Sequence, residues 1–332
     1  MASRALAGYA CAFGAGCVWG TLGLFVRRLQ SFGLDALSIT AWRTIVVSHI
    51  VLPAFFVLRR ELFIIERKDA ALVGLTGLTG VVLTQYSFIY SVTRTSVAVA
   101  TILNYTAPLF VTIISRVCLR EPITPRKVFA LAMSSVGLVL ILGLYDPSSI
   151  RSGPVLAHLA GLLSGFFFAV HTLISKTVVR RYHPLTAFAW ASFVGGWSLA
   201  LIARLTGRQM AAVPPQAIPT MALLCAGPGL VGFYLYLRSL SLVPASHASI
   251  TAMSEPATAA FLGFAVLGEP FAPPQALGIA VVLAAIALVT TDRPPDRAAD
   301  RSSGAHDRPT DRPAGADVRR RAEDHIRQAP KD

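Results

Sequence analysis

Few side chains in this sequence could do chemistry, and their rarity is informative. Residues 1–291 hold only eight Asp and Glu, and one of them, Glu255, falls inside a long apolar run, immediately before Pro256. Arg43 and His49 sit in a second such run and His171 in another. An ionisable group at membrane depth is costly and marks a functional site by default. A carboxyl there can take up a proton from one side and release it to the other, the minimum that a proton-coupled carrier needs. Its charge would be set jointly by access to water and by a nearby Arg. The Arg43 guanidinium does not titrate, so it must find an anion, carbonyls or water. It would anchor a substrate carboxylate, pair with Glu255, or snorkel to the interface. His171 could change charge near neutral pH, although a neutral, hydrogen-bonded His within a helix bundle accounts for it equally well.

Polar residues gather around two prolines. Thr101, Asn104, Tyr105, Pro108, Thr112 and Ser115 share one helical face, as do Thr251, Glu255 and Thr258 around Pro256. A mid-helix Pro removes one backbone donor, and the freed carbonyl is tolerated only against protein or a water-filled cavity. Asn104, Tyr105, Thr251 and Glu255 are therefore candidates to line a central cavity, whereas Thr112 and Ser115 read as helix packing. Trp19 and Tyr86, with Tyr90, Phe168, Trp190 and Tyr234, could form aromatic walls, against their more ordinary use as packing or interface anchors. Glu121 and Glu269 each end an apolar run and precede Pro, which reads as an interfacial cap or gate. Gly16 and Gly20 have the four-residue spacing of a close helix crossing. No His-rich metal box, paired Asp, nucleophile with its base, or glycine-rich phosphate loop is visible. Catalytic residues, metals and cofactors are thus not expected, and an integral-membrane enzyme or a direct ATP-driven pump is disfavoured.

The elements that must position these residues follow from composition. Of 332 residues 54% are hydrophobic and 14% charged, whereas a soluble domain carries roughly 25% charged residues. Mean hydropathy is +0.60. Polar surface is too scarce for a soluble globule, and four scattered Cys exclude a disulfide scaffold. Ten apolar runs near 5–26, 36–58, 70–91, 95–117, 127–145, 154–176, 184–203, 217–238, 244–267 and 274–291 approach the roughly 20 residues a spanning helix needs. The chain is therefore an all-α integral membrane protein of ten transmembrane helices. Residues 292–332 carry 10 Lys/Arg, 9 Asp/Glu and almost no large apolar side chain. They read as a disordered, cytoplasmic tail whose removal leaves the fold intact.

With the N-terminus inside, the inner connections hold 13 Lys/Arg and the outer ones 6. Both termini are expected in the cytoplasm of a multi-pass protein of the inner, or cytoplasmic, membrane. A shift of 148 residues superposes Trp42 on Trp190, Tyr86 on Tyr234, Pro108 on Pro256, Glu121 on Glu269 and Pro125 on Pro273. The repeats fall at 1–145 and 154–291 with five helices each. An odd number of crossings inverts the second repeat, an arrangement used by alternating-access carriers.

Those matched residues carry a resemblance. Trp19-Gly20, Trp42-Arg43 and the stretch from Ser96 to Leu119-Arg120-Glu121, repeated from Ser246 to Leu267-Gly268-Glu269, resemble the EamA family of the drug/metabolite transporter superfamily. The resemblance covers residues 1–291. It implies a gradient- or proton-driven carrier, in efflux mode an exporter of small metabolites such as amino acids. The partners expected are a small-molecule substrate and the lipid bilayer, with no nucleic acid, and pairing as a homodimer stays open. Rival readings are a channel, a non-transporting scaffold or regulator, and a membrane enzyme. Counterflow of labelled substrate separates a carrier from a scaffold.

Overall fold

The computed structural model describes residues 2–144 and 154–292, and among these every regular element is helical. Nine segments are at least 18 residues long and apolar enough to cross a membrane. They are α1 (Ser3–Ser31), α2 (Ala36–Leu58), α3 (Arg67–Val92), α4 (Val97–Cys118), α6 (Val155–Val178), α7 (Pro184–Leu205), α8 (Pro215–Leu242), α9 (Ala245–Leu267) and α10 (Pro273–Thr290). The remaining apolar run forms α5 (Pro125–Ile141), which at 17 residues is one short of that length. At 1.5 Å per residue it still extends about 26 Å, close to the thickness of a bilayer core.

Local chemistry sets the helix ends. Asp35 caps α2 by accepting the Ser38 N–H at 2.8 Å, Ser96 caps α4 through the Val99 N–H, and Thr124 caps α5 through the Lys127 N–H. Pro opens α5, α7 and α10, where its missing N–H costs nothing.

The two repeats share their irregularities as well as their residues. Both α3 and α8 pass through a wide π-type stretch, at Leu78–Leu83 and Cys225–Gly232. Both α4 and α9 break: α4 between Asn104 and Ala107, α9 between Thr251 and Ser254. Just past α4 and α9 the backbone turns left-handed at matched positions, Arg120 (φ 55°) and Gly268 (φ 67°). Glycine takes that conformation freely and Arg does not.

Contacts between repeats are reciprocal. The Trp42 indole donates to the Ala211 carbonyl (2.9 Å), and Trp190, its counterpart, donates to the carbonyl of Phe63, the counterpart of Ala211 (3.0 Å). Likewise Ser38 Oγ accepts the Ala211 N–H, and its counterpart Thr186 donates to the Leu62 carbonyl. Each repeat thus hooks its second helix onto the segment that follows the other's.

The fold runs one residue past Thr291. The Asp292 side chain is buried and accepts the Thr124 hydroxyl at 2.6 Å, with His247 Nε2 at 3.6 Å. The expected boundary after Thr291 is therefore too early by one residue, because a carboxylate inside the fold has no apolar signature. The remainder of the expected tail lies outside the described residues. A chain ending at Asp292 should melt like the full-length protein. One ending at Thr291 should lose about 1–3 kcal/mol, read as a lower unfolding midpoint in detergent.

Candidate functional site

The broken helices bring the chemistry together. Glu255 is the second residue of the Ser254–Leu267 half of α9, and Tyr105 is the residue at which the first half of α4 stops. Tyr105 and Arg43 are the two side chains that act electrostatically on the Glu255 carboxylate. Arg43 is only 7% exposed and therefore does not snorkel. Among the described residues no carboxylate lies within 4.0 Å of it, and its guanidinium lies 6.0 Å over the Phe233 ring. Arg43 and Glu255 are thus neighbours without being an ion pair, which leaves both able to meet a ligand.

Arg43 also lines a narrow cavity with Thr76, Gly80, Gln85, His171 and Phe233. Its volume of about 30 Å³ admits one or two water molecules, and an amino acid would need helices to part. His171 Nδ1 is 2.9 Å from the Thr76 carbonyl, so Nδ1 carries the proton and donates; Nε2 is buried with no hydrogen-bond partner. A Cβ at Gly80 would collide with the imidazole, so this glycine makes the room His171 occupies.

The other candidates sort by place. Asn104 Oδ1 accepts from Ser164 Oγ of α6 (3.0 Å). Trp19 is buried in an aromatic cluster with Phe168, Phe233 and Tyr236 and donates to the Pro228 carbonyl, so it supports Phe233 beneath Arg43. Thr251 is fully buried at the end of the first half of α9, its hydroxyl without a partner. Pro108 and Pro256 open the second halves of α4 and α9, where their missing N–H groups fall at helix starts. Thr112 and Ser115 bond the carbonyls of their own helix. Tyr86 is not in this group: it is 42% exposed and lines another cavity with Tyr90, Arg94 and Arg208.

Glu121 and Glu269, equivalent in sequence, differ in the structure. Glu121 is buried and accepts the N–H of Ala245 (2.8 Å), the N–H of Ser246 (3.3 Å) and the Ser246 hydroxyl (2.7 Å), with Lys176 Nζ at 4.0 Å. Burial alone would raise its pKa, but these donors and the Lys176 charge outweigh burial and hold the carboxyl below its usual range. Glu269 is exposed and pairs with Arg27 at 2.7 Å.

Around Glu121 lie residues that the sequence did not single out. Lys176 donates to the carbonyls of Leu240 and Val243, and Tyr9 hydrogen-bonds His247 Nδ1 at 2.6 Å. In the sequence Lys176 reads only as a charge of an inner connection, and Tyr9 and His247 carry no signal of their own. Among the described residues no group of three His, Cys, Asp or Glu could hold a metal.

Comparison with known proteins agrees with this architecture. The EamA-like transporter family matches residues 6–143 and again 155–291. The uncharacterized inner membrane transporter YicL of Salmonella typhimurium is 24% identical over 281 residues, 84% of this chain and 93% of that protein. An uncharacterized transporter of Archaeoglobus fulgidus is 29% identical over 272 residues, 81% and 91% of the two chains. The uncharacterized transporter YwfM of Bacillus subtilis is 27% identical over 284 residues, 82% and 90%. One crystal structure superposes with a TM-score of 0.74 at 17% identity, covering 85% of this chain and 96% of its own, a likeness of fold. Matched in both repeats, this multi-pass helical membrane protein belongs to the EamA-like transporter family.

Proposed function

We propose that the chain is a secondary-active carrier that exports small zwitterionic or weakly acidic metabolites, amino acids among them, by alternating access between two inverted repeats. Glu255 is the coupling carboxylate, and Arg43 receives a substrate carboxylate. The observation that carries this reading is a carboxylate at the break of one helix, facing the electrostatic influence of a buried guanidinium on another, without the ion pair that would neutralise them. Broken helices expose backbone dipoles and polar groups where a ligand can use them. The asymmetry of Lys and Arg between alternate loops supports cytoplasmic termini, and the similarity to the Salmonella inner membrane transporter supports the inner membrane.

Counterflow in proteoliposomes tests it. Vesicles preloaded with unlabelled amino acids should accumulate labelled amino acid transiently, and an imposed pH gradient should change the rate. An exchange-silent protein across a panel of neutral, acidic and aromatic amino acids would reject the assigned substrate class.

A further inference from the structure

We propose that Glu121 with Lys176 forms a lock that closes one face of the carrier, and that Glu269 with Arg28 forms its counterpart when the opposite face closes. This rests on the alternating-access reading above. Five spanning segments, α5 to α9, separate the end of α4 from the end of α9, so Glu121 and Glu269 sit at opposite faces.

At the Glu121 face the lock is complete. The carboxylate holds the first two residues of α9, Ala245 and Ser246. Lys176 reaches the carbonyls of Leu240 and Val243, which end α8 and lead into α9. Residues 245–251 are all buried. Subtracting 148 from each member gives Arg28, Val92, Thr95, Val97 and Ala98 for the other face. There the corresponding contacts are undone. Glu269 faces Arg27 instead, Arg28 stacks on Phe32 at 4.7 Å, Val97 is 65% exposed, and Thr101 to Asn104 are only half-buried. The carboxylate, the basic side chain and the backbone groups are present twice and engaged once, the Ser246 hydroxyl alone having no counterpart at Ala98; this is the pattern of two mutually exclusive closures in one chain. The structure is accordingly the state closed at the Glu121 face and open at the Glu269 face.

Ser249 and Thr101 are matched reporters: Ser249 is 4% exposed behind the lock, and Thr101, its counterpart, is half-buried. In a chain whose four native Cys are replaced, Ser249→Cys and Thr101→Cys are alkylated singly with a membrane-impermeant maleimide, in vesicles of both orientations. Loss of a charge-assisted hydrogen bond present in only one state should shift the ratio of states by roughly tenfold. Glu121→Gln should therefore speed labelling at 249 and slow it at 101. Glu269→Gln, which in the described state removes only an exposed ion pair with Arg27 of little energetic weight, should do the reverse, and the double variant should return towards the parent. If labelling is reciprocal between the two faces but neither variant shifts it, or both shift it the same way, the lock is wrong and alternating access stands. Labelling at 249 and 101 that rises and falls together in every chain overturns both.

Discussion

Replacing Glu255 by Gln should abolish coupling to a pH gradient while leaving the protein folded and inserted. Gln keeps the size and one acceptor oxygen but cannot carry a proton between faces. Removing an ionisable group from membrane depth relieves a desolvation cost, so normal amounts of protein are expected. The loss of the coupling carboxylate should lower gradient-driven net transport by roughly 10–100-fold. Gradient-driven uptake into inside-out vesicles, measured with and without a pH difference, reads both effects. Wild-type rate with unchanged pH dependence would make Glu255 a structural residue. Counterflow needs no net proton movement, so it should survive better than net transport. That split separates a lost coupling group from a collapsed site. The repeat strengthens the expectation, because the position equivalent to Glu255 is Ala107. Shared packing at the two breaks does not call for an acid.

What the sequence could reveal was governed by distance along the chain. The repeat was readable because Trp and Pro recur at one offset, and those residues prove to be structural: Trp42 and Trp190 make the reciprocal hooks. Glu255 was readable because a charge within an apolar run is conspicuous, and Tyr105 because helical spacing places it with Asn104. Lys176 was not. At the end of an apolar run it counts as an interfacial charge, and only the carbonyls of Leu240 and Val243, more than sixty residues away, make it part of a buried cluster. Asp292 was lost the same way, as the first residue of a charged tail until Thr124 is seen to hold it. The two matched glutamates show a further limit. Sequence makes Glu121 and Glu269 equivalent, and only a particular conformation makes one buried and the other exposed.

The four-residue glycine spacing in α1 was a weak sign by itself, and the structure turns it into a sharp expectation. A Cβ on Gly16 would overlap the Ser254 hydroxyl and the Ala252 carbonyl; one on Gly20 would overlap the Glu255 carbonyl and Thr258. Both glycines therefore let α1 lie directly against the break in α9 that presents Glu255. The obstacle at each site includes backbone (the Ala252 carbonyl and Glu255 amide at Gly16, the Glu255 carbonyl at Gly20), which cannot rotate away as a side-chain tip can, so α1 and α9 must separate. Overpacking of this kind costs about 1–3 kcal/mol per site. Gly23, later in the same segment, faces nothing within 4 Å, so the same added methyl there should be tolerated. Gly16→Ala and Gly20→Ala should each lower the unfolding midpoint in detergent and reduce transport more than stability alone explains, since Glu255 moves with its helix. Gly23→Ala should match the parent in both. Equal behaviour of all three variants would mean that α1 does not pack on α9 in this way, and that the break is supported from elsewhere.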